Sequence, residues 1–335
     1  MVLVTGATGF LGSHLIIDLL ENGEDVRGLY RNINSISKTK SLFSLYKKDF
    51  LFDRINWVLG DINDIPSLEI AFQNIEYVYH CAALITFEPK KETVLRKINI
   101  EGTANIVNFC LEYKIKKLCH VSSIAALGDL RNSNNLIDEM LEWNPEKSHS
   151  DYAISKYGAE MEIWRGQQEG LNVVIVNPGV IIGAGFWENG SGKIFSTVSK
   201  GILFYTKGTT GFVAVNDVTK IMLLLMKREW KGERFIIVSE NIVFRDLINN
   251  IAAQLKVREP QIYAKKWMTD VAWRLDWLLC TLFFKKRKLS KNIAKSLHAK
   301  DFYSNEKIKK QLDYNFIPVV DCVVTTSKYF TISKD

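Results

Sequence analysis

The chain has 335 residues, enough for a full hydrophobic core and two coupled lobes. Hydrophobic residues make up 47% and charged residues 24%, which excludes a disordered or fibrous chain. The net charge is +7, and lysines concentrate between Lys285 and Lys310; that stretch reads as a solvated helical surface, so neither nucleic acid nor a membrane is expected as a partner. Cys81, Cys110, Cys119, Cys280 and Cys322 form no C-x-x-C pair and have no histidine at metal spacing. They read as buried free thiols in a reducing compartment, with no metal site. Met1 directly precedes the first strand, so no leader peptide is expected.

The first element is a strand at Val2–Val4, apolar without interruption, as in a strand buried on both faces. Gly6, Gly9 and Gly12 follow, then Leu11, Leu15 and Leu19 at helical spacing with Ile16 and Leu20 beside them. Asn22-Gly23 ends that helix. A phosphate needs backbone N–H groups within reach, glycine removes the Cβ that would block them, and the helix N-terminus adds partial positive charge. The stretch Gly6-Ala7-Thr8-Gly9-Phe10-Leu11-Gly12 is G-x-x-G-x-x-G and resembles the T-G-A-T-G-F-L-G turn of the extended short-chain dehydrogenase/reductase family. The resemblance implies dinucleotide contacts from Gly6, Thr8, Gly9, Phe10, Leu11 and Gly12. It also implies an α/β fold, a Rossmann-type doubly wound parallel sheet with a smaller, mostly helical C-terminal substrate lobe. The expected division is 1–178 and 179–335, with residues about 212–240 returning to the first lobe.

The second strand, Val26–Tyr30, ends at Arg31, where an acidic residue would bind the ribose hydroxyls of NAD. An arginine instead suits a 2′-phosphate. With Lys38 it resembles the Arg/Lys pair of the dihydroflavonol-reductase-like branch, so NADP(H) is expected in preference to NAD(H). After the third strand, Ile55–Leu59, the family resemblance gives Asp61 and Ile62 contacts to adenine, while Asp61 also suits capping of a helix at 64–72. The fourth strand, Tyr77–His80, runs into Cys81-Ala82-Ala83, small enough at Ala82 and Ala83 for close approach of the cofactor; His80 reads as a packed strand residue. Phe87 in the loop Leu84–Pro89 is a candidate substrate wall. A long helix at 93–113 carries the family signature Asn99–Thr103, with Asn99 facing the site or bonding a loop.

The fifth strand, Lys117–Val121, leads to Ser122-Ser123, and a polar loop over 129–150 precedes a helix at Asp151–Gln168. A sixth strand at Leu171–Val176 is closed by Asn177-Pro178-Gly179, with Pro178 among the expected cofactor contacts. The alternation so far argues a parallel sheet. The glycine-rich loop Ala184–Gly192 offers Phe186 and Trp187 as further substrate walls. Phe212–Val218 resembles the family's F-V-x-V-x-D-V strand and leads into a helix; a strand at Arg234–Val238 and a helix at 244–256 follow. Trp267–Phe284 carries Asp270, Arg274 and Asp276, which spoils it as a membrane span. It reads as a buried amphipathic helix; the following Lys285–Lys288 would suit a monotopic membrane contact, the lesser reading. The closing segment Asp301–Lys307 and Leu312–Tyr314 also resembles the family.

Tyr152 and Lys156 are four residues apart and share one helix face. A phenol titrates near pH ~10, and a neighbouring ammonium favours its ionised form. Lysine also has donors for ribose hydroxyls. Ser123, at the mouth of the sheet, is the candidate that holds a substrate oxygen, preferred over Ser122 from the family alignment. Ser123, Tyr152 and Lys156 are therefore the expected catalytic residues. Sugar dehydratases carry an acidic pair where this chain has Ile124 and Ala125, and many epimerases carry R-P where it has Asn177-Pro178. The expected activity is NADP(H)-dependent reduction of a small ketone or aldehyde in the cytoplasm. The alternatives are an NAD-dependent sugar-nucleotide epimerase, a 3β-hydroxysteroid dehydrogenase-like enzyme and a non-catalytic NADP-binding redox sensor. The resemblance further implies a homodimer through the helices near 93–113 and 151–168.

Overall fold

Seven parallel strands form the central sheet: β1 Val2–Thr5, β2 Val26–Tyr30, β3 Asn56–Leu59, β4 Tyr77–His80, β5 Lys117–Val121, β6 Val173–Pro178 and β7 Glu233–Ile237. Their order across the sheet is β7-β6-β5-β4-β1-β2-β3. The chain therefore reverses direction between β1 and β4, the place where open α/β sheets bind ligands. The computed structural model describes residues 1–334 except 87, 89, 90, 130–135, 231 and 284–288. All four residues of β1 are buried. Val2 and Val4 pack with Leu15, Ile16 and Leu19 of the helix Phe10–Glu21 and with Ile221, Met222 and Leu225 of the helix Val215–Met226. Leu3 faces the other side, with Ile106, Cys110 and Ile163. Period-two alternation thus feeds two helical layers from one strand.

β6 extends two residues beyond the expected sixth strand, and Asn177 and Pro178 pair with Ile236 and Ile237 of β7. Proline fits because β5 has already ended, with Val121 opposite Val176, so no ladder bond is lost on that side. The second lobe is built on a small sheet in the order Glu240–Val243, Thr209–Ala214, Val180–Ile182. Its core joins Phe195, Phe212, Leu247, Ile251, Val323 and Phe330. The strand Thr209–Ala214 pairs within this small sheet, while its Val213 and the following Val215 pack into the core beneath β1. Inside the polar loop, Leu136–Ile137 pairs with Phe302–Tyr303, a contact between segments far apart in sequence.

One expectation is overturned. The helix Lys266–Leu282 is not buried: of its residues only Thr269 is. Trp267, Val271, Leu275, Trp277, Leu278, Leu279 and Leu282, with Phe283 beyond its end, are all exposed. Thr269, Trp273, Asp276 and Cys280, spaced three or four apart, form its more sheltered stripe. Thr269 Oγ1 bonds His298 Nε2 at 2.9 Å, and Asp276 accepts from the Leu289 amide at 3.2 Å. The helical period is as the sequence indicates, but the more sheltered side is the more polar one. Among the described residues no helix is long and apolar enough to cross a membrane.

Candidate functional site

The glycine turn joins β1 to the helix Phe10–Glu21. Gly6 has φ +66°, which glycine tolerates without strain. Gly9 N–H donates to the Gly6 carbonyl at 2.9 Å, and Gly9 is the helix N-cap with no side-chain bond to the first turn. The first helical N–H groups therefore lack a side-chain cap and are available to an anion. A Cβ on Gly12 would lie 2.2 Å from the Gly6 carbonyl oxygen, and one on Gly6 would lie 2.7 Å from the Ala82 nitrogen. The strand-to-helix turn and the strand end at Ala82-Ala83 thus approach through space that only hydrogen can occupy. The cradle fits a dinucleotide diphosphate. Phe10 stands beside the turn and Leu11 is buried behind it.

At the far end of the sheet, Arg31 follows β2 and Asp61 follows β3. Arg31 Nη1 lies 3.5 Å from Asp61 Oδ2, and Arg31 remains exposed. Asp61 also accepts from the Asn63 amide at 2.9 Å, the cap-like role expected of it. Ile62 is buried, and Lys38 is exposed on the helix Ile36–Leu45. This end of the sheet therefore carries two exposed cations, Arg31 and Lys38, with the Asp61 carboxylate beside Arg31.

The catalytic candidates converge from two elements. Ser123 opens a short turn after β5, where its Oγ accepts from the Ala125 amide at 3.1 Å. Tyr152 and Lys156 come from the helix Asp151–Gln168, capped by Ser150 Oγ on the Ala153 amide. The Tyr152 phenol faces the Ser123 side chain; desolvation raises its pKa, and the Ser123 hydroxyl opposes the rise. Lys156 is buried and donates to the Val121 carbonyl at 2.7 Å. Desolvation brings its pKa down to about 8, against the pull of Glu160 and Cys81. The expected stabilisation of a phenolate is therefore not what this arrangement favours: burial holds Tyr152 in its protonated form.

A network missed by the sequence reading supports Ser123 from behind. Asn177 on β6 donates to the Ser123 carbonyl at 3.0 Å and to Glu160 Oε1. Arg234 on β7 lies 3.4 Å from Glu160 Oε2 and donates to the Glu139 and Leu141 carbonyls. Glu160 is fully buried, and desolvation raises its pKa while Ser122, Arg234 and Asn177 oppose this. Ser122 thus lies on the Glu160 side. The position where many epimerases carry R-P holds the amide that ties a buried carboxyl to the catalytic turn. The signal was Arg234, the one charged residue of the predicted strand Arg234–Val238.

A second network fixes the cofactor wall. His80 bonds Thr5 Oγ1 at 2.7 Å and Thr103 Oγ1 at 2.9 Å, and burial lowers its pKa to about 3, so it is a neutral strand residue. Asn99 accepts from the Leu84 amide at 2.7 Å and donates to the Leu84 carbonyl at 3.0 Å and to Ser155 Oγ at 2.9 Å. It sits in a π-helical turn, Lys97–Glu101, within the long helix. Of the expected cofactor contacts, Pro178 is buried within β6. Of the expected substrate walls, Phe87 lies outside the described residues. The Phe186 ring packs against Phe10 at the glycine turn, with centroids 6.0 Å apart. Trp187 is half-buried, and its ring packs against Phe330 at 5.0 Å and Phe195 at 6.2 Å, at the edge of the second lobe's core.

A parallel sheet with a Cβ-free phosphate cradle at its switch point, facing a serine, tyrosine and lysine cluster, defines a dinucleotide-dependent Rossmann enzyme. The profile of the NAD dependent epimerase/dehydratase family matches residues 2–238, and the chain belongs to that family. It is an NAD(P)-dependent enzyme of the extended short-chain dehydrogenase/reductase type. A Synechocystis sp. protein whose name assigns it provisionally to dihydroflavonol 4-reductase is 30% identical over 288 residues, 83% of this chain and 80% of that one. The crystal structure of gox2253 superposes with a TM-score of 0.81 at 27% identity, covering 99% of this chain and 98% of its own. The UDP-glucose 4-epimerase of Thermotoga maritima shares the fold, with a TM-score of 0.78 at 20% identity and coverage of 100% and 99%.

Proposed function

We propose that the protein reduces the carbonyl group of a small ketone or aldehyde at the expense of NADPH. The observation that carries this reading is the convergence of the Tyr152 phenol on the Ser123 side chain, one helical turn from buried Lys156. A bound nicotinamide dinucleotide supplies hydride. Ser123 donates a hydrogen bond to the carbonyl oxygen, and Tyr152 gives its proton to the same oxygen as negative charge develops there. The buried phenol stays protonated at neutral pH, which suits the reducing direction. Lys156 holds the ribose hydroxyls, for which its ammonium has donors beyond the one engaged by Val121. Arg31 and Lys38 favour the 2′-phosphate of NADP(H) over NAD(H), and no carboxylate occupies the end of β2. Ile124 and Ala125 supply no acid or base for eliminating water.

The test is a ketone and aldehyde panel run with NADPH. Tyr152→Phe is expected to lower turnover by at least ~100-fold while leaving NADP(H) affinity unchanged. Equal turnover would remove Tyr152 from the chemistry. Titration of both dinucleotides decides the cofactor, and tighter NAD than NADP would favour the epimerase reading. The described cysteines are free thiols, which agrees with a cytoplasmic setting. A homodimer through the helices at 92–112 and 151–168 belongs to the same reading, and sedimentation equilibrium measures it.

A further inference from the structure

We propose that the second lobe docks on an anionic lipid bilayer through the outer face of the helix Lys266–Leu282. The helix presents Trp267, Leu275, Trp277, Leu278 and Leu282 to solvent, and Phe283 follows at its end, each more than two-fifths exposed. Leu275, Leu278 and Leu282 recur at helical spacing on one stripe, while Thr269, Asp276 and Cys280 lie on the more sheltered side. Large contiguous apolar faces of this kind are rare on proteins that have no partner. The apolar surface is continued by Ile262, just ahead of the helix, which is paired with exposed Phe204.

Charge selects the partner. Exposed Lys265, Lys266 and Arg274 flank or lie on the helix, and exposed Lys291 and Lys295 follow it. The helix's carboxylates, Asp270 and Asp276, are less exposed than these cations. A second copy of the chain docked face to face by a two-fold axis would bring the cations together. An anionic bilayer complements them instead, while the tryptophans suit the boundary between headgroups and acyl chains. The helix has 17 residues, so it is about 25 Å long, shorter than a hydrocarbon core of roughly 30 Å, and it carries four charges, Lys266, Asp270, Arg274 and Asp276. It lies on a bilayer rather than across it.

Flotation of the full chain with vesicles tests this, using phosphatidylcholine alone or mixed with phosphatidylserine. The chain is expected to float with the mixed vesicles at physiological salt and much less with the neutral ones. Leu275→Gln/Leu278→Gln/Leu282→Gln is expected to abolish flotation while keeping the wild-type affinity for the dinucleotide. Lys291→Gln is expected to weaken binding about fivefold. Absence of flotation at physiological salt overturns the proposal, as does flotation of the triple variant equal to wild type. So does a dimer in solution that the triple substitution converts to a monomer, which would assign the face to a second copy. Should the triple variant fail to fold, quenching of the wild-type tryptophans by brominated lipid decides: its absence also overturns the proposal.

Discussion

The helices Phe10–Glu21 and Lys266–Leu282 are both rich in leucine and isoleucine or tryptophan, yet they are placed in opposite ways. The first buries nine of its residues under the sheet, including Leu15 and Ile16 with no exposed surface. The second buries one. Composition alone therefore does not determine burial; a strand layer or partner must cover the apolar face. β1 and the helix Val215–Met226 cover the first helix, whereas the second leaves its apolar side open within this chain.

That contrast gives three expected outcomes. Leu15→Ala, which empties a fully buried position, is expected to cost about 3 kcal/mol by denaturant unfolding. Gly12→Ala forces a methyl group against the Gly6 carbonyl and is expected to cost about 2 kcal/mol. It also weakens dinucleotide binding, measured by titration, because relief of the clash distorts the cradle. Leu278→Ala, on a residue 46% exposed, is expected to change stability in vesicle-free buffer by less than about 0.5 kcal/mol. A loss at Leu278 as large as that at Leu15 would mean that the outer face is covered in the isolated chain, and the contrast would fail.

The same contrast explains what the sequence revealed. The bounds of β4, β5 and the helix Asp151–Gln168 are legible because apolar runs, caps and helical period are local signals. The glycine cradle is legible because the close approaches at Gly6 and Gly12 can be met only without a Cβ. That Ser123, Tyr152 and Lys156 gather at the end of β5 is legible through spacing and family resemblance together. The support behind them is not: Glu160, Asn177 and Arg234 meet from one helix and two strands, and nothing in their spacing announces it. Period likewise reports that residues 266–282 are helical without reporting which stripe faces inward. Trp187 stands in a glycine-rich loop, and its contact with Phe330 from the last helix is one that loop composition does not announce.

The Asn99 side chain carries a carbonyl acceptor and an NH2 group with two donors, so it offers the pair that a peptide group offers and one donor more. Leu84 bonds that pair, N–H to Oδ1 and carbonyl to Nδ2, as it would bond a residue on an adjacent strand. A single amide thus acts as a one-residue strand projected from a helix. The π-helical turn around it gives the helix one locally wider coil at that point. The chain beyond β4 consequently takes its position from the helical layer, and through Ser155 from the turn of helix that also carries Tyr152 and Lys156. A displacement of that layer would carry the Leu84 loop and Tyr152 together.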